Sequence, residues 1–314
     1  MSALAEKQKP FFFLIDFEQE VPIVCPIDKA EELGFYFQIK KFKNFKPKFL
    51  DHKPMTLSID PIPRSLYSKA YKKVVKEIYQ GNTFLLNLTF PSKIKTPLSL
   101  EHVFHLAKAP YKLHFKDQFV VYSPECFIKI INGYIYSYPM KGTINGSLHD
   151  AQKTLTNNTK EINEHNTIVD LIRNDLSKVA KEVKVTRFRY MDKIKIQKNE
   201  IFHTSSEIRG KLFKEWKKQL PEILLNMLPA GSICGAPKEK TVSIIREVEQ
   251  EKRGYYTGIF GFFDGENLDS AVNIRYLEKH QGEIRYRSGG GITSLSDLES
   301  EYNELIEKIY VPVV

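Results

Sequence analysis

Cys126-Phe127-Ile128-Lys129-Ile130-Ile131-Asn132-Gly133-Tyr134-Ile135-Tyr136-Ser137-Tyr138 is the stretch from which the fold is read. Two runs of β-branched and aromatic residues flank an Asn-Gly pair. Asn-Gly accepts positive φ at both central positions of a type I′ turn, so the pattern predicts a two-residue β-hairpin within a β-rich segment, 118–140. Counting outward from that loop puts Met140 opposite Glu125 and Lys141 opposite Pro124. Glu125 and Lys141 then meet at the open end of the hairpin, within roughly 5–8 Å of each other. An acid and an amine so placed can act as proton donor and nucleophile. The same two residues would also make a plain cross-strand ion pair.

Working outward, residues 11–16 and 35–41 read as strands, with Gly34 closing a short helical turn before the second. Leu66, Ala70, Val74 and Ile78 fall at helical spacing in 64–80, and Gly81 stops the helix. Residues 84–90 read as a strand. A helix over 160–180 buries Ile168, Leu171, Leu176 and Val179, and another over 238–251 starts after Pro237. Strands are expected at 256–263, 269–278 and 283–288. A last helix covers about 297–310, with Ser296 and Glu299 spaced as a capping box. Helices and strands mix without regular βαβ alternation. The fold class is therefore α+β, in one compact domain spanning 1–314.

Composition narrows the function classes. The 314 residues carry 47 Lys and Arg against 38 Asp and Glu, a formal charge of +9. That balance admits an anionic partner, but equally a solvated lysine-rich surface. The basic residues are scattered and no nucleic-acid motif accompanies them, which leaves a basic nucleic-acid-binding module as a remote alternative. Cys25, Cys126 and Cys234 lie far apart, which excludes a disulfide framework or zinc module. The run Phe11-Phe12-Phe13-Leu14-Ile15 is too short for a signal sequence or membrane span, so a cytoplasmic protein without a membrane partner is expected.

Four glutamates form two helical pairs. Glu161 and Glu164 are three apart, and the face they share continues through Ile168, Leu171 and Asp175. Glu301 and Glu304 repeat the spacing on the last helix, with Leu305 and Lys308 on the same side. Carboxylates on a buried stripe are costly unless paired or bound to a cation; two such pairs facing each other suit Mg²⁺, which takes oxygen ligands. Solvated helix faces would carry the same spacing. Gly231-Ser232-Ile233-Cys234-Gly235-Ala236-Pro237-Lys238 lacks Walker A spacing, yet could offer backbone N–H groups to an anion at a helix start. Gly289-Gly290-Gly291 suits close approach to a ligand or a flexible turn. His203 reads equally as a structural histidine.

Taken in order, these segments resemble the chorismate-utilising enzymes, component I of the aminodeoxychorismate and anthranilate synthases. The resemblance rests on Ser123-Pro124-Glu125; Pro139-Met140-Lys141-Gly142-Thr143; Glu164-His165 through Leu176; His203; Pro229-Ala230-Gly231-Ser232 with Gly235 to Lys238; Arg253 to Gly258; Ile274-Arg275; Gly289 to Ile292; and Glu301, Glu304 and Lys308. It covers residues 80–310, about three-quarters of the chain; 61–314 is expected to carry the catalytic motifs, and 1–60 is a divergent, shortened N-terminal part. Lys141 points to the aminodeoxychorismate branch, since anthranilate synthases carry Ala there. Leu85 occupies the place where isochorismate-type enzymes keep a water-activating lysine. Those two activities remain the alternatives. Departures from the family pattern include Leu85, Tyr276 after Arg275, Gly289-Gly290-Gly291 and Ser177.

The resemblance implies large antiparallel sheets flanked by helices, and it implies a site. Mg²⁺ would be held by Glu164 and Glu304, with Glu161 and Glu301 behind them. The carboxylates of chorismate would meet Arg275, Lys308, Tyr256 and the Gly291 backbone, with Ser232 and Gly142 also lining the substrate. Glu125 would protonate the departing hydroxyl and Lys141 would form a covalent adduct, while Thr143 and His203 position the ring. Nothing in the sequence reads as glutaminase machinery, so ammonia is expected from a separate glutamine amidotransferase subunit. Tryptophan feedback and a fused lyase are not expected.

Overall fold

The computed structural model describes residues 1–48, 56–145, 159–196 and 199–313; within these, side chains of 141–145, 159–161, 192–196 and 199–203 lie outside the description. Among the described residues two nine-stranded antiparallel sheets form. The first holds β1 (Phe11–Ile15), β2 (Ile23–Pro26), β9 (Cys126–Ile131), β10 (Tyr134–Ser137), β11 (Met140–Asn145), β12 (Lys181–Ile196), β13 (Asn199–Lys211), β15 (Ile259–Phe263) and β16 (Leu268–Val272). Its order is β11-β13-β10-β9-β16-β15-β1-β2, with β12 on the outside of β13. The second holds β3 (Phe35–Ile39), β4 (Phe42–Lys43), β5 (Ser58–Asp60), β6 (Leu85–Lys95), β7 (Tyr111–Phe115), β8 (Phe119–Ser123), β14 (Gly235–Ala236), β17 (Tyr276–His280) and β18 (Glu283–Ile292). Its order is β14-β6-β18-β17-β8-β7-β3-β4, with β5 on β6.

β1 shows how the sequence builds two layers. All five of its residues are buried, because the strand has apolar neighbours on both faces. Phe12 and Leu14 join Phe35, Phe37, Leu113, Phe260 and Tyr276 in the core shared by strands of the two sheets. Phe11, Phe13 and Ile15 point the other way, into the core formed with the helices. Those helices are α3 (Arg64–Tyr79), α5 (Thr159–Ser177), α6 (Leu220–Met227) and α8 (Lys238–Glu249), beside the short turn α7 (Gly231–Cys234) and the last helix α9 (Leu298–Glu307). Helices α1 (Ser2–Glu6) and α2 (Ile27–Ala30) are brief, and α4 (Leu100–Leu106) covers the outer face of β7 and β8.

The Asn132-Gly133 hairpin forms as expected, with φ of 51° and 77° at the two loop residues and Tyr134, Ile135 and Tyr136 paired to Ile131, Ile130 and Lys129. The pairing stops there. Pro139 cannot donate to a ladder, and the chain continues beyond it as β11, which pairs with β13 instead of β9. Lys141 therefore lies opposite Thr204, and the expected pairing of Lys141 with Pro124 and Met140 with Glu125 is wrong.

The strand expected over 269–278 is two strands in different sheets. β16 ends at Val272 and β17 starts at Tyr276, with Arg275 in the left-handed region (φ 55°) at the crossing. The cap of α9 is Asp297, which accepts from the Ser300 N–H at 3.0 Å; Ser296, the residue expected there, accepts from the Thr293 N–H at 3.1 Å instead. Residues 181–196 and 199–211, in which no strand was expected, form β12 and β13, which pair antiparallel.

Candidate active site

Helix α9 brings one set of expected residues together. Glu301 is 1% exposed, and its Oε1 accepts from Ser296 Oγ at 2.6 Å. Glu304 follows one turn later, and both carboxylates lie against β18. A Cβ on Gly290 would stand 3.3 Å from Glu301 Oε2 and 3.4 Å from Glu304 Oε1. The glycine run thus leaves the space the carboxylates occupy. Lys308, a further turn on, places Nζ 2.6 Å from Glu304 Oε1 and donates to the Gly289 carbonyl at 2.9 Å.

Glu164 on α5 lines an open cleft, together with Leu85, Asn163, Thr167 and the segment 293–295 that leads into α9. Its neighbour His165 is fully buried, with Nε2 2.7 Å from Ser206 Oγ on β13. Glu161 is one turn earlier on the same helix, and its side chain lies outside the described residues. Among the described residues no three His, Cys, Asp or Glu side chains form a metal-ligand group. The buried Glu301 carboxylate beside Glu304, in a cradle that a single Cβ would crowd, is an all-oxygen donor set that fits a hard cation such as Mg²⁺.

Arg275 stands at the crossing between the sheets. Its guanidinium is partly buried and lies 4.9 Å from the Tyr310 ring centre, and Nη1 donates a long 3.4 Å hydrogen bond to the Lys308 carbonyl. Among the described residues it has no carboxylate partner. The Tyr310 carbonyl is in turn held by the hydroxyls of Tyr122 and Tyr286 at 3.0 and 3.2 Å. Tyr256 is buried (4% exposed), and burial pushes its phenol well above the ordinary range. Gly291 pairs with Asn87 on β6. Tyr276, a departure from the family pattern, does not belong to this corner: it is 2% exposed and stacks on Phe119 at 5.1 Å between the sheets.

Glu125 sits just before β9. Its N–H donates to Ser123 Oγ at 3.1 Å, and its Oε1 accepts a short hydrogen bond from Ser232 Oγ. Ser232, expected to line the substrate, thus addresses the expected acid. On β11, Thr143 lies opposite His203 of β13, and the register shifts between Lys141 and Thr143, at Gly142. The pairing puts Thr143 and His203 side by side in the backbone; the side chains of Lys141, Gly142, Thr143 and His203 lie outside the described residues.

The structure also shows supports that no motif spacing announced. Asp175 is 2% exposed and bridges Lys178 at 2.9 Å and Lys238 at 2.6 Å. Lys238 Nζ donates further to the Met227 carbonyl at 2.9 Å, so its amine holds chain segments together. Arg253 is also buried, with Nη2 2.6 Å and Nε 2.8 Å from the two oxygens of Glu249, and Nη1 on the Ile233 carbonyl at 2.9 Å. Asp175 on the apolar stripe of α5 was the one visible signal, since a buried carboxylate needs a partner.

The sequence matches the family described as chorismate binding enzyme over residues 31–313. It is 55% identical over 309 residues to an uncharacterised PabA-like protein of Pasteurella multocida, covering 98% of this chain and 95% of that one. It is 30% identical over 262 residues to aminodeoxychorismate synthase component 1 of Salmonella typhimurium, covering 78% and 56%. It is 32% identical over 259 residues to an anthranilate synthase component 1 of Haloarcula marismortui, covering 77% and 50%. The match thus spans about half the length of those two synthases. The fold is that of a crystal structure titled putative 2,3-dihydroxybenzoate-specific isochorismate synthase from Bacillus anthracis, with a TM-score of 0.73 at 19% identity over 98% of this chain and 85% of that one.

Proposed function

The chain belongs to the chorismate-binding enzymes, and from that membership we propose that it is the synthase component that aminates chorismate to 4-amino-4-deoxychorismate. The observation that carries the reading is Arg275: a guanidinium with no carboxylate partner among the described residues, held at the Lys308 carbonyl at the end of the helix that carries the Glu301–Glu304 cradle. Such a corner suits a small anion that arrives with a hard cation. Lys141 narrows the reading to amination, and Leu85, in the cleft beside Glu164, offers no base to activate water there.

In this reading Arg275, Lys308, Tyr256 and the Gly291 backbone hold the substrate carboxylates, with Ser232 and Gly142 beside the ring. Glu164 and Glu304 would hold Mg²⁺, with Glu161 and Glu301 behind them; the ion supplies charge neutralisation at the ring carboxylate. The Lys141 amine forms a bond to the ring carbon next to the carboxylate-bearing carbon. The ring double bonds shift, and the hydroxyl leaves as water with the proton of Glu125. Ammonia then bonds where the hydroxyl left, the double bonds shift back, and Lys141 departs as a free amine. The new ammonium returns its proton to Glu125. Chorismate and ammonia thus become aminated product and water, with the enolpyruvyl group kept. Thr143 and His203 position the ring.

Lys141 must be neutral to attack, and Glu125 protonated to donate; a dry pocket favours both states. In this reading ammonia is supplied by a separate glutamine amidotransferase. Cys25 and Cys234 are buried free thiols, which suits a reducing cytoplasm. No helix among the described residues is long and apolar enough to cross a membrane.

The test is to incubate the protein with chorismate, Mg²⁺ and an ammonium salt and resolve the products. Aminated product that retains the enolpyruvyl group is expected, and Lys141→Ala should lose most of it. Anthranilate with pyruvate as the main products would establish the second reading, which the Haloarcula relative favours.

A further inference from the structure

We propose that the Asp175–Lys238 ion pair is the positioning device for the acid Glu125, acting through the turn α7. This deepens the proposed function and rests on Glu125 being its proton donor. Four residues, Gly231–Cys234, make up α7, and a turn that short has no helical ladder to stiffen it. Its stiffness comes from what grips it on either side.

On one side Lys238 ties α5 to the end of α6, through Asp175 at 2.6 Å and the Met227 carbonyl at 2.9 Å. Gly231 sits directly on that clamp: a Cβ there would be 2.8 Å from Leu171 Cδ2 and 3.8 Å from Asp175 Oδ2. On the other side Arg253 donates to the Ile233 carbonyl at 2.9 Å. Ser232 lies between the two grips, and its hydroxyl bonds Glu125 Oε1. Glu125, Ser232 and Asp175 wall the same narrow cavity.

The ion pair is too buried to be a solubility device. Lys238 and Asp175 side chains are 12% and 3% exposed, and Lys178 already neutralises Asp175 from its outer side. A buried pair contributes little net stability against apolar replacements, so both charges can be removed together to test a geometric role. Among the described residues the titratable groups lining the cavity with Glu125 are Asp175 on α5, Tyr138 after β10 and Cys126, its neighbour in sequence. The Ser232 hydroxyl stands directly on the carboxyl. Loosening α7 therefore alters both the orientation of the acid and the pH at which it gives up its proton.

The experiment measures kcat, KM and the pH profile of kcat for chorismate amination with ammonium, alongside thermal unfolding. Asp175→Asn alone leaves Lys238 buried without its partner and is expected to unfold early. The working variant is therefore Asp175→Asn with Lys238→Met, which removes both charges. It should fold, lower kcat about tenfold with KM within about twofold, and displace the alkaline limb of the profile. Gly231→Ala should do the same, and Lys238→Arg should restore most of kcat. A folded double variant with unchanged kcat and pH limb, while Glu125→Gln is inactive, would overturn the positioning role and leave the acid in place. Full activity of Glu125→Gln would overturn the acid itself, and the positioning role with it.

Discussion

Replacing Arg275 by glycine should separate substrate binding from stability. The residue has φ 55°, a conformation that costs an L-residue about 1–2 kcal/mol and glycine almost nothing. Against that relief stand a long hydrogen bond of 3.4 Å and a guanidinium–ring contact at 4.9 Å, which is worth about 0.5–1 kcal/mol. Glycine also costs about 0.5–1 kcal/mol in chain entropy. These contributions cancel to within about 1 kcal/mol, a shift of a few degrees at most in a chain of this size. Binding has no such compensation. Truncating one member of a desolvated charge pair costs about 2–5 kcal/mol, and because Arg275 is only partly buried the lower end applies. Chorismate affinity should fall about 30-fold, since 1.4 kcal/mol is about tenfold. Titration calorimetry with chorismate and Mg²⁺, alongside differential scanning calorimetry, reads both quantities. Lysine at 275 keeps the charge but not the planar fork, and should recover only part of the loss. Binding within threefold of the parent, or a variant that unfolds more than about 10 °C early, would refute the reasoning.

Other consequences are as direct. Gly290→Ala would push the Glu301 and Glu304 carboxylates by a few tenths of an ångström, so the Mg²⁺ concentration for half-maximal activity should rise about tenfold with little change in melting temperature; an unchanged Mg²⁺ titration would count against the cradle. Glu249→Gln strips the buried Arg253 of its counter-charge and should cost about 3–5 kcal/mol in urea unfolding, whereas a loss below about 1 kcal/mol would mean the pair is not what anchors that corner. Lys112 is 6% exposed, and burial, helped by the charge of Lys43, pushes its amine down from 10.5 to about 8. Between those values the unfolded chain holds the proton and the folded one does not, so stability rises with pH through that window, by up to about 3 kcal/mol for this group. Lys112→Met should flatten the rise between pH 8 and 10, as measured by denaturant unfolding relative to the parent.

How much of this was legible differs by element. The Asn132-Gly133 loop could be read because its turn chemistry is local: both residues must accept positive φ, and both do. What lies beyond it was not local. Extending the hairpin register to Lys141 assumed that β9 would keep its partner, whereas the chain after Pro139 follows β13, seen only once 199–211 is known to be a strand. The alternation in Val183-Lys184-Val185 and Lys193-Ile194-Lys195-Ile196 carried a strand signal, but three register shifts along β12 break the period. The break inside 269–278 was hidden for a different reason. Asn273, Ile274 and Arg275 include no glycine or proline, so nothing marks the crossing that sends β16 and β17 into different sheets. At the site, the spacing of Glu301 and Glu304 on α9 made their shared face legible, while Ser232 on Glu125 and Asp175 on Lys238 depend on contacts between distant segments.

The pairing of β1 with β15, and of β6 with β18, sets the order in which the chain can be completed. During synthesis both early strands leave the ribosome long before β15 and β18, and each waits for that partner with one hydrogen-bonding edge open. Neither sheet closes until residues 259–292 have emerged. Folding is accordingly late and dominated by distant contacts, and the nascent chain is exposed to edge-to-edge association for most of its elongation. Yield in a cell should therefore depend on chaperone supply and on translation speed through the last fifth of the chain more than on the stability of the finished protein.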